Sequence, residues 1–234
     1  MRLGLACLAV SAAIIAAVWT WLGTPVPMPP SPLAAGEKLY CLSYSPFRGS
    51  QTPLNPGAHI PPEQIDDDLA RLAKITDCVR TYSTEFGQDK IAEIAARHGL
   101  KVMQGLWLSS KAEKNQEQIA ETIALANRFP DTIRSVVVGN EVLLRGEMSG
   151  PDLVSAIRTV KAQVKVPVTY ADVWEFWLRY RDVAAAVDFI TIHILPYWED
   201  EPIGLDRREP DGTPSIEKHI VDIYKKVQAR FPDK

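Results

Sequence analysis

The chain has 234 residues, 46% of them hydrophobic and 24% charged, which suits one globular domain with an appendage. A formal net charge of -3 argues against a nucleic-acid partner, which needs a basic face. The three cysteines, Cys7, Cys41 and Cys78, form no CxxC and no Cys/His cluster, so neither a metal nor another cofactor is expected.

Residues 3–23 (LGLACLAVSAAIIAAVWTWLG) are uncharged, and about 20 apolar residues span a bilayer as a helix. Arg2 ahead of the run keeps the N-terminus cytoplasmic and sends the rest outward, with Trp19 and Trp21 at the far interface. A cleaved signal peptide has a shorter apolar region, about 7–15 residues, and a small-x-small site after it. Here TPVPMPPSP follows, so residues 1–23 read as an uncleaved anchor, residues 24–37 as a semi-rigid Pro-rich linker and residues 38–234 as the folded domain. That domain is expected on the extracytoplasmic side, periplasmic in a Gram-negative cell.

From Lys38 the chain alternates short apolar strands with amphipathic helices. LYCLSY (39–44) is a strand, and Pro61-Pro62 open a helix with Ile65, Leu69, Leu72 and Ile75 on one face. The second strand, DCVRTYS (77–83), precedes a helix carrying Ile91, Ile94 and Ala95 that Gly99 stops. KVMQGLWL (101–108) and a helix with Ile119, Ile123 and Ala126 follow, then IRSVVVGNE (133–141) and a helix opened by Pro151. VPVTYADV (166–173), a short helix over 178–186, VDFITIHIL (187–195) and a helix with Ile216, Ile220, Ile223 and Val227 complete six βα units. Cys41 and Cys78 are expected to point to opposite sides of their strands and to stay unbridged.

Such alternation predicts a parallel sheet covered by helices, either open and doubly wound or a (β/α)8 barrel. The Gly-rich phosphate loop of the open fold is absent. Tyr44, Tyr82, Trp107, Glu141, Trp174 and Tyr197 instead gather near the C-terminal ends of different strands, where barrels keep their chemistry. The fold is therefore read as a (β/α)8 TIM barrel of which about six βα units are present, preceded by one transmembrane helix.

The segment VVVGNEV (136–142) ends a buried apolar strand in Gly139, Asn140 and Glu141. A carboxylate there is costly unless paired or used. Retaining glycoside cleavage needs two carboxylates about 5–5.5 Å apart, one acid/base and one nucleophile. Together with YCLSYSPFRGSQTP, VRTYS and TIHILPYW, this segment resembles glycoside hydrolase family 17, the β-1,3-glucanases and glucan transglycosylases, in its bacterial membrane-associated branch. The resemblance spans residues 39–230 and implies Glu141 as acid/base and Asn140 as the grip on the sugar at the reacting centre. The plant-type sixth strand, Asn-x-Tyr-Pro-Tyr-Phe, here reads His193, Ile194, Leu195, Pro196, Tyr197, Trp198.

Flat sugar faces stack on aromatics, so Trp107, Trp174, Trp177, Tyr197 and Trp198 are candidate platforms, and Tyr44 and His193 candidate subsite residues. Arg80 and Tyr82 share one side of the second strand, where a buried Arg needs a carboxylate partner. His98, His219 and the Asp66–Asp68 run read as solvated, and His59 sits in a Pro-rich loop. The resemblance also implies a nucleophile at a seventh strand in a Gly-Glu-x-Gly-Trp-Pro segment, which does not occur. Glu147, Glu175, Glu199, Glu201 and Glu209 lie in loops, so the chain is expected to be the front part of a barrel, inactive alone. The expected partner is a β-glucan, cleaved or re-linked at β-1,3 bonds. A non-catalytic glucan-binding module and a β-1,4-specific barrel are the alternatives.

Overall fold

The computed structural model describes residues 2–23, 33–200, 210, 212 and 215–234. The Pro-rich run 24–32 and the residues Glu201 and Glu209 lie outside them. The described residues fall into two units. Leu33–His193 with Val227–Lys234 make up one, and the other holds the N-terminal helix and the segment Ile194–Lys226.

The first unit is built on six parallel strands: β1 (Leu42–Ser43), β2 (Cys78–Arg80), β3 (Lys101–Leu106), β4 (Ile133–Asn140), β5 (Val168–Val173) and β6 (Thr191–His193). They pair strictly in chain order, β1-β2-β3-β4-β5-β6. A doubly wound sheet reverses its order at a switch point. This sheet has none, and it curls as part of a barrel does. Strands β2 to β5 are mostly buried and read as apolar runs, as a sheet covered on both faces requires.

The covering helices follow the sequence periodicity. Helix α2 (Pro62–Leu72) buries Ile65 and Leu69, but it ends before Ile75, which is 52% exposed. In α3 (Ile91–Arg97), Ile91, Ala92, Ile94 and Ala95 face the core. Gly99 closes it at φ +70°, with Gly99 N donating to Ala96 O and Leu100 N to Ala95 O, a Schellman stop that favours glycine. Helix α4 (Ala112–Arg128) buries Leu125 and Ala126. Helix α5 (Gly150–Lys161) has Ser149 at its N-cap, accepting from Asp152 N at 3.3 Å, and buries Leu153, Ile157 and Val160. The short helix expected over 178–186 is instead two, α6 (Trp174–Arg179) and α7 (Arg181–Ala186), broken at Tyr180.

Cys41 and Cys78 form a disulfide, against the expectation from strand alternation. The reason is register. Leu42 lies opposite Val79 in the parallel pair, so Cys41 comes opposite Cys78 with 4.3 Å between their Cα atoms. Directly opposed residues of neighbouring strands share a face whatever each strand's own alternation suggests. Cys7 is a free, exposed thiol.

In the second unit, α1 (Arg2–Leu22) is exposed from Leu3 on and, by length and composition, can cross a membrane or serve as a signal sequence. A short 3-10 turn spans Pro196–Glu199, and α8 (Ser215–Arg230) is mostly in this unit. Ile220, placed on the apolar face of α8 by periodicity, is 41% exposed.

Candidate active site

Strand β4 delivers Asn140 and Glu141 to the C-terminal mouth of the sheet through an irregular last turn. Gly139 takes φ +88°, where a Cβ would be strained and would sit 3.3 Å from Leu108. The β4–β5 register shifts between Val137 and Asn140, and such irregularities re-aim side chains beside active sites. Glu141 follows at φ +52°, a left-handed conformation that costs a non-glycine residue roughly 1–3 kcal/mol. Its backbone stays tied to the sheet, since Glu141 N donates to Ala171 O at 2.8 Å.

The Glu141 carboxylate is partly buried, with 23% of the side chain exposed. Its Oε1 lies 2.5 Å from His193 Nδ1, at the end of β6. His193 Nε2 is 3.5 Å from Arg80 Nη1, and Arg80 Nη2 donates to Asn140 Oδ1 at 2.7 Å. The Arg80 guanidinium also lies over the Tyr82 ring, 4.3 Å from its centroid. Strands β2, β4 and β6 thus supply one connected cluster. Burial pulls the Arg80 pKa down from its ordinary value, while Tyr82 and the charge of Glu141 oppose that. The direct partner of Arg80 is therefore the Asn140 amide and not the expected carboxylate. With Asn140 Oδ1 taken by Arg80, its Nδ2 hydrogens are the side left to donate.

Trp107 stands just past β3, 37% exposed, with the Arg145 guanidinium 4.3 Å from its ring centroid. Arg145 also donates to Asn140 O, to Leu108 O at 2.8 Å and to Glu147 Oε2 at 2.8 Å. One side chain therefore bolts the ends of β3 and β4 together beneath an aromatic platform.

Strand β5 ends in Asp172, which is fully buried. It accepts from the Tyr170 hydroxyl, from Val173 N at 2.8 Å and from Leu144 N. The Tyr170 hydroxyl in turn accepts from Leu143 N at 3.1 Å. This network holds the turn that follows Glu141. Burial raises the pKa of Asp172, its hydrogen bonds work against that, and the Glu141 charge adds to it.

The other expected residues separate. Tyr44 is buried, and its hydroxyl donates to Asp68 Oδ2 at 2.8 Å, so it acts as a strut between β1 and α2. Trp177 is a core residue, its Nε1 donating to Thr191 O at 2.9 Å, and not a sugar platform. Trp174 opens α6 and is half-buried. Tyr197 and Trp198 lie in the second unit, exposed, with rings edge to face at 5.4 Å. The Asp66–Asp68 run is paired and not merely solvated: Asp66 with Arg97 and His98, Asp67 with Arg48 and Arg71, Asp68 with Arg48. His219 pairs with Glu199 in the second unit.

Comparison with known proteins decides the family. The profile of the BtgE/BtgC glycoside hydrolase domain matches residues 41–234. The chain belongs to this family. Among curated relatives of the BtgE/BtgC domain, a glucan 1,3-beta-glucosidase of Schizosaccharomyces pombe is 29% identical over 148 residues, which cover 57% of this chain and 46% of that protein. A glucan 1,3-beta-glucosidase of Arthroderma benhamiae is 28% identical over 183 residues, 68% of this chain and 57% of that one. The chain thus spans about half the length of these relatives. A glycoside hydrolase family 17 beta-1,3-glucanosyltransferase from Rhizomucor miehei shares the fold, with a TM-score of 0.61 at 21% identity over 80% of this chain and 66% of that one. The resemblance to family 17 read from the sequence is borne out by these matches.

Proposed function

We propose that this domain cleaves or re-links β-1,3-glucan by a retaining mechanism with Glu141 as the acid/base. The observation that carries the reading is the Glu141 carboxylate at the mouth of β4, in a strained backbone conformation, joined through His193 to Arg80 and Asn140. Strain persists where surrounding structure enforces it, and it concentrates at functional sites. The substrate class is supported by the relatives, two of which are glucan 1,3-beta-glucosidases. In the reaction, Glu141 gives its proton to the leaving glycosidic oxygen while a second carboxylate captures C1. Glu141 then takes a proton from water, giving hydrolysis, or from an acceptor sugar hydroxyl, giving transglycosylation. Asn140 Nδ2 hydrogen-bonds the sugar beside the reacting carbon, and Trp107, Tyr82 and Trp174 offer rings to neighbouring sugars. No cofactor takes part in these steps.

The second carboxylate is a separate matter. Among the described strand ends of β1 to β6, Glu141 and Asp172 are the carboxylates, and Asp172 is fully buried with its oxygens occupied. We therefore place the nucleophile outside these six strand ends. The same observation keeps a second reading in play, a glucan-binding module without turnover.

The test is Glu141→Gln in a catalytically competent form, assayed with a laminari-oligosaccharide and with an activated aryl glycoside. Loss of general acid help should cost the oligosaccharide about 10²–10⁴-fold and largely spare the aryl substrate in the first step. Equal rates for wild type and variant on the oligosaccharide would overturn the assignment of Glu141, whereas binding without turnover in either would favour the binding module.

We further infer that α1 anchors the domain to a membrane, with the domain outside the cytoplasm. The uncharged run 3–23 supports this, and so does the Cys41–Cys78 bridge, since disulfides persist in oxidising compartments.

A further inference from the structure

His193 is the one side chain in hydrogen-bond contact with the Glu141 carboxylate among the described residues. Its two ring nitrogens face unlike partners. Nδ1 meets Glu141 Oε1 at 2.5 Å, and Nε2 meets Arg80 Nη1 at 3.5 Å. A guanidinium has five donors and no acceptor. A proton on Nε2 would point at a cationic donor, so the lone pair must lie there, and the ring proton must lie on Nδ1. Arg80 is itself fixed, stacked over Tyr82 and donating to Asn140 Oδ1, and so cannot turn away without releasing Asn140.

We propose that His193 is a positioning residue for Glu141: a neutral imidazole held in the Nδ1–H tautomer by Arg80, which grips Oε1 and leaves Oε2 as the oxygen that exchanges protons with substrate. The proposal rests on Glu141 being the acid/base. In the first half-reaction the Oε2 proton passes to the glycosidic oxygen as the C1–O bond breaks toward that oxygen. In the second, a water or acceptor hydroxyl returns a proton to Oε2. His193 keeps its own proton in both, donating to Oε1 throughout. The charged groups around it from the packed strands are Arg80 on β2, Glu141 after β4 and Asp172 on β5, and Asp172 is saturated by Tyr170, Val173 and Leu144.

This geometry makes a demand on substitutions at 193. The Asn amide nitrogen occupies nearly the place of imidazole Nδ1, so His193→Asn keeps a donor toward Glu141. The Gln amide nitrogen takes the place of Nε2, so His193→Gln aims its donor at Arg80 and leaves Oε1 without one. Small misplacements of a reacting group cost about 10²-fold. In a catalytically competent form, His193→Asn should therefore lose less than about tenfold in laminari-oligosaccharide turnover, and His193→Gln about 10²-fold. An independent readout needs no turnover. In the intact chain labelled with 15N-histidine, His193 Nδ1 should resonate as a protonated, pyrrole-like nitrogen and Nε2 as an unprotonated, pyridine-like one at neutral pH. Arg80→Met should abolish that preference. A protonated Nε2, or two equivalent nitrogens of an imidazolium, would overturn the proposal. Equal losses in the Asn and Gln variants would overturn it too. Should Glu141→Gln prove harmless while the tautomer is as stated, the acid/base reading fails and the locked tautomer survives.

Discussion

At the scale of single residues, the most consequential group that the sequence did not disclose is Asp172. It sits two residues after Tyr170 on β5, and the two side chains meet on one side of the strand, clasping the backbone of Leu143 and Leu144. Burial raises its pKa above the ordinary 3.8, so the native state holds that proton to higher pH than the unfolded chain does. By linkage, the stability this group contributes is present in full below the unfolded value and is lost as pH rises through the folded one. Asp67, held low by its hydrogen bond to Arg48, works in the opposite sense. Urea unfolding at a series of pH values should therefore show wild-type stability, taken relative to Asp172→Asn, falling as pH rises above 3.8. A difference that stays flat or climbs would refute the buried-carboxylate account. Glu141, Asn140, Arg80 and His193 were legible because each ends or lies in an apolar strand, where a polar side chain needs a reason. Arg145 was not, since a loop Arg carries no such contrast and its partners Leu108 and Asn140 are set by tertiary approach. Trp177 packs into the core and Tyr44 is likewise buried; in the sequence, an aromatic near a strand end reads the same whether it packs inward or faces a groove. His193 lies at the mouth of the sheet as expected, in contact with the Glu141 carboxylate.

At the scale of elements, strands and helices were readable from their periods, and strand order followed from six uninterrupted βα units. Register was not, because pairing between two strands is written in neither. The Cys41–Cys78 bridge is the clearest consequence, joining β1 to β2 across a separation of 37 residues. Loop-closure entropy for that separation gives a stabilisation of about 4 kcal/mol in the chain-entropy account. β1 itself is two residues long and pairs on one side among the described residues, so it has little else to hold it. Reduction, or the double variant Cys41→Ser with Cys78→Ser, should lower the urea midpoint substantially, with Tyr44 and its Asp68 contact loosening first. An unchanged midpoint would show the bridge to be incidental. The same pair reports the compartment. Thiols trapped in intact cells should find Cys41 and Cys78 joined, and finding both reduced would place the domain in a reducing compartment against the proposed export.

At the scale of the whole molecule, the sheet runs β1 to β6 in strict order and has two edges among the described residues. A complete barrel of this kind has eight strands and about 250 residues, and closure removes its edges. The barrel class was legible from the alternation and from the missing phosphate loop, while curvature came only with the pairing. What the six strands contain bears directly on turnover. Double displacement needs a carboxylate free to reach C1 from the side opposite the acid. β5 ends in an aspartate sealed by three donors, β6 ends in His193, and β1, β2 and β3 end without a carboxylate. The 234-residue chain is therefore expected to bind laminarin-type glucan and leave it uncleaved. Retention of glucan by this chain in a pull-down shows that it is folded, so its silence in the hydrolysis assay is informative. Hydrolysis by the 234-residue chain that disappears on Asp172→Asn or Glu199→Ala would put the nucleophile inside the described residues and overturn this inventory.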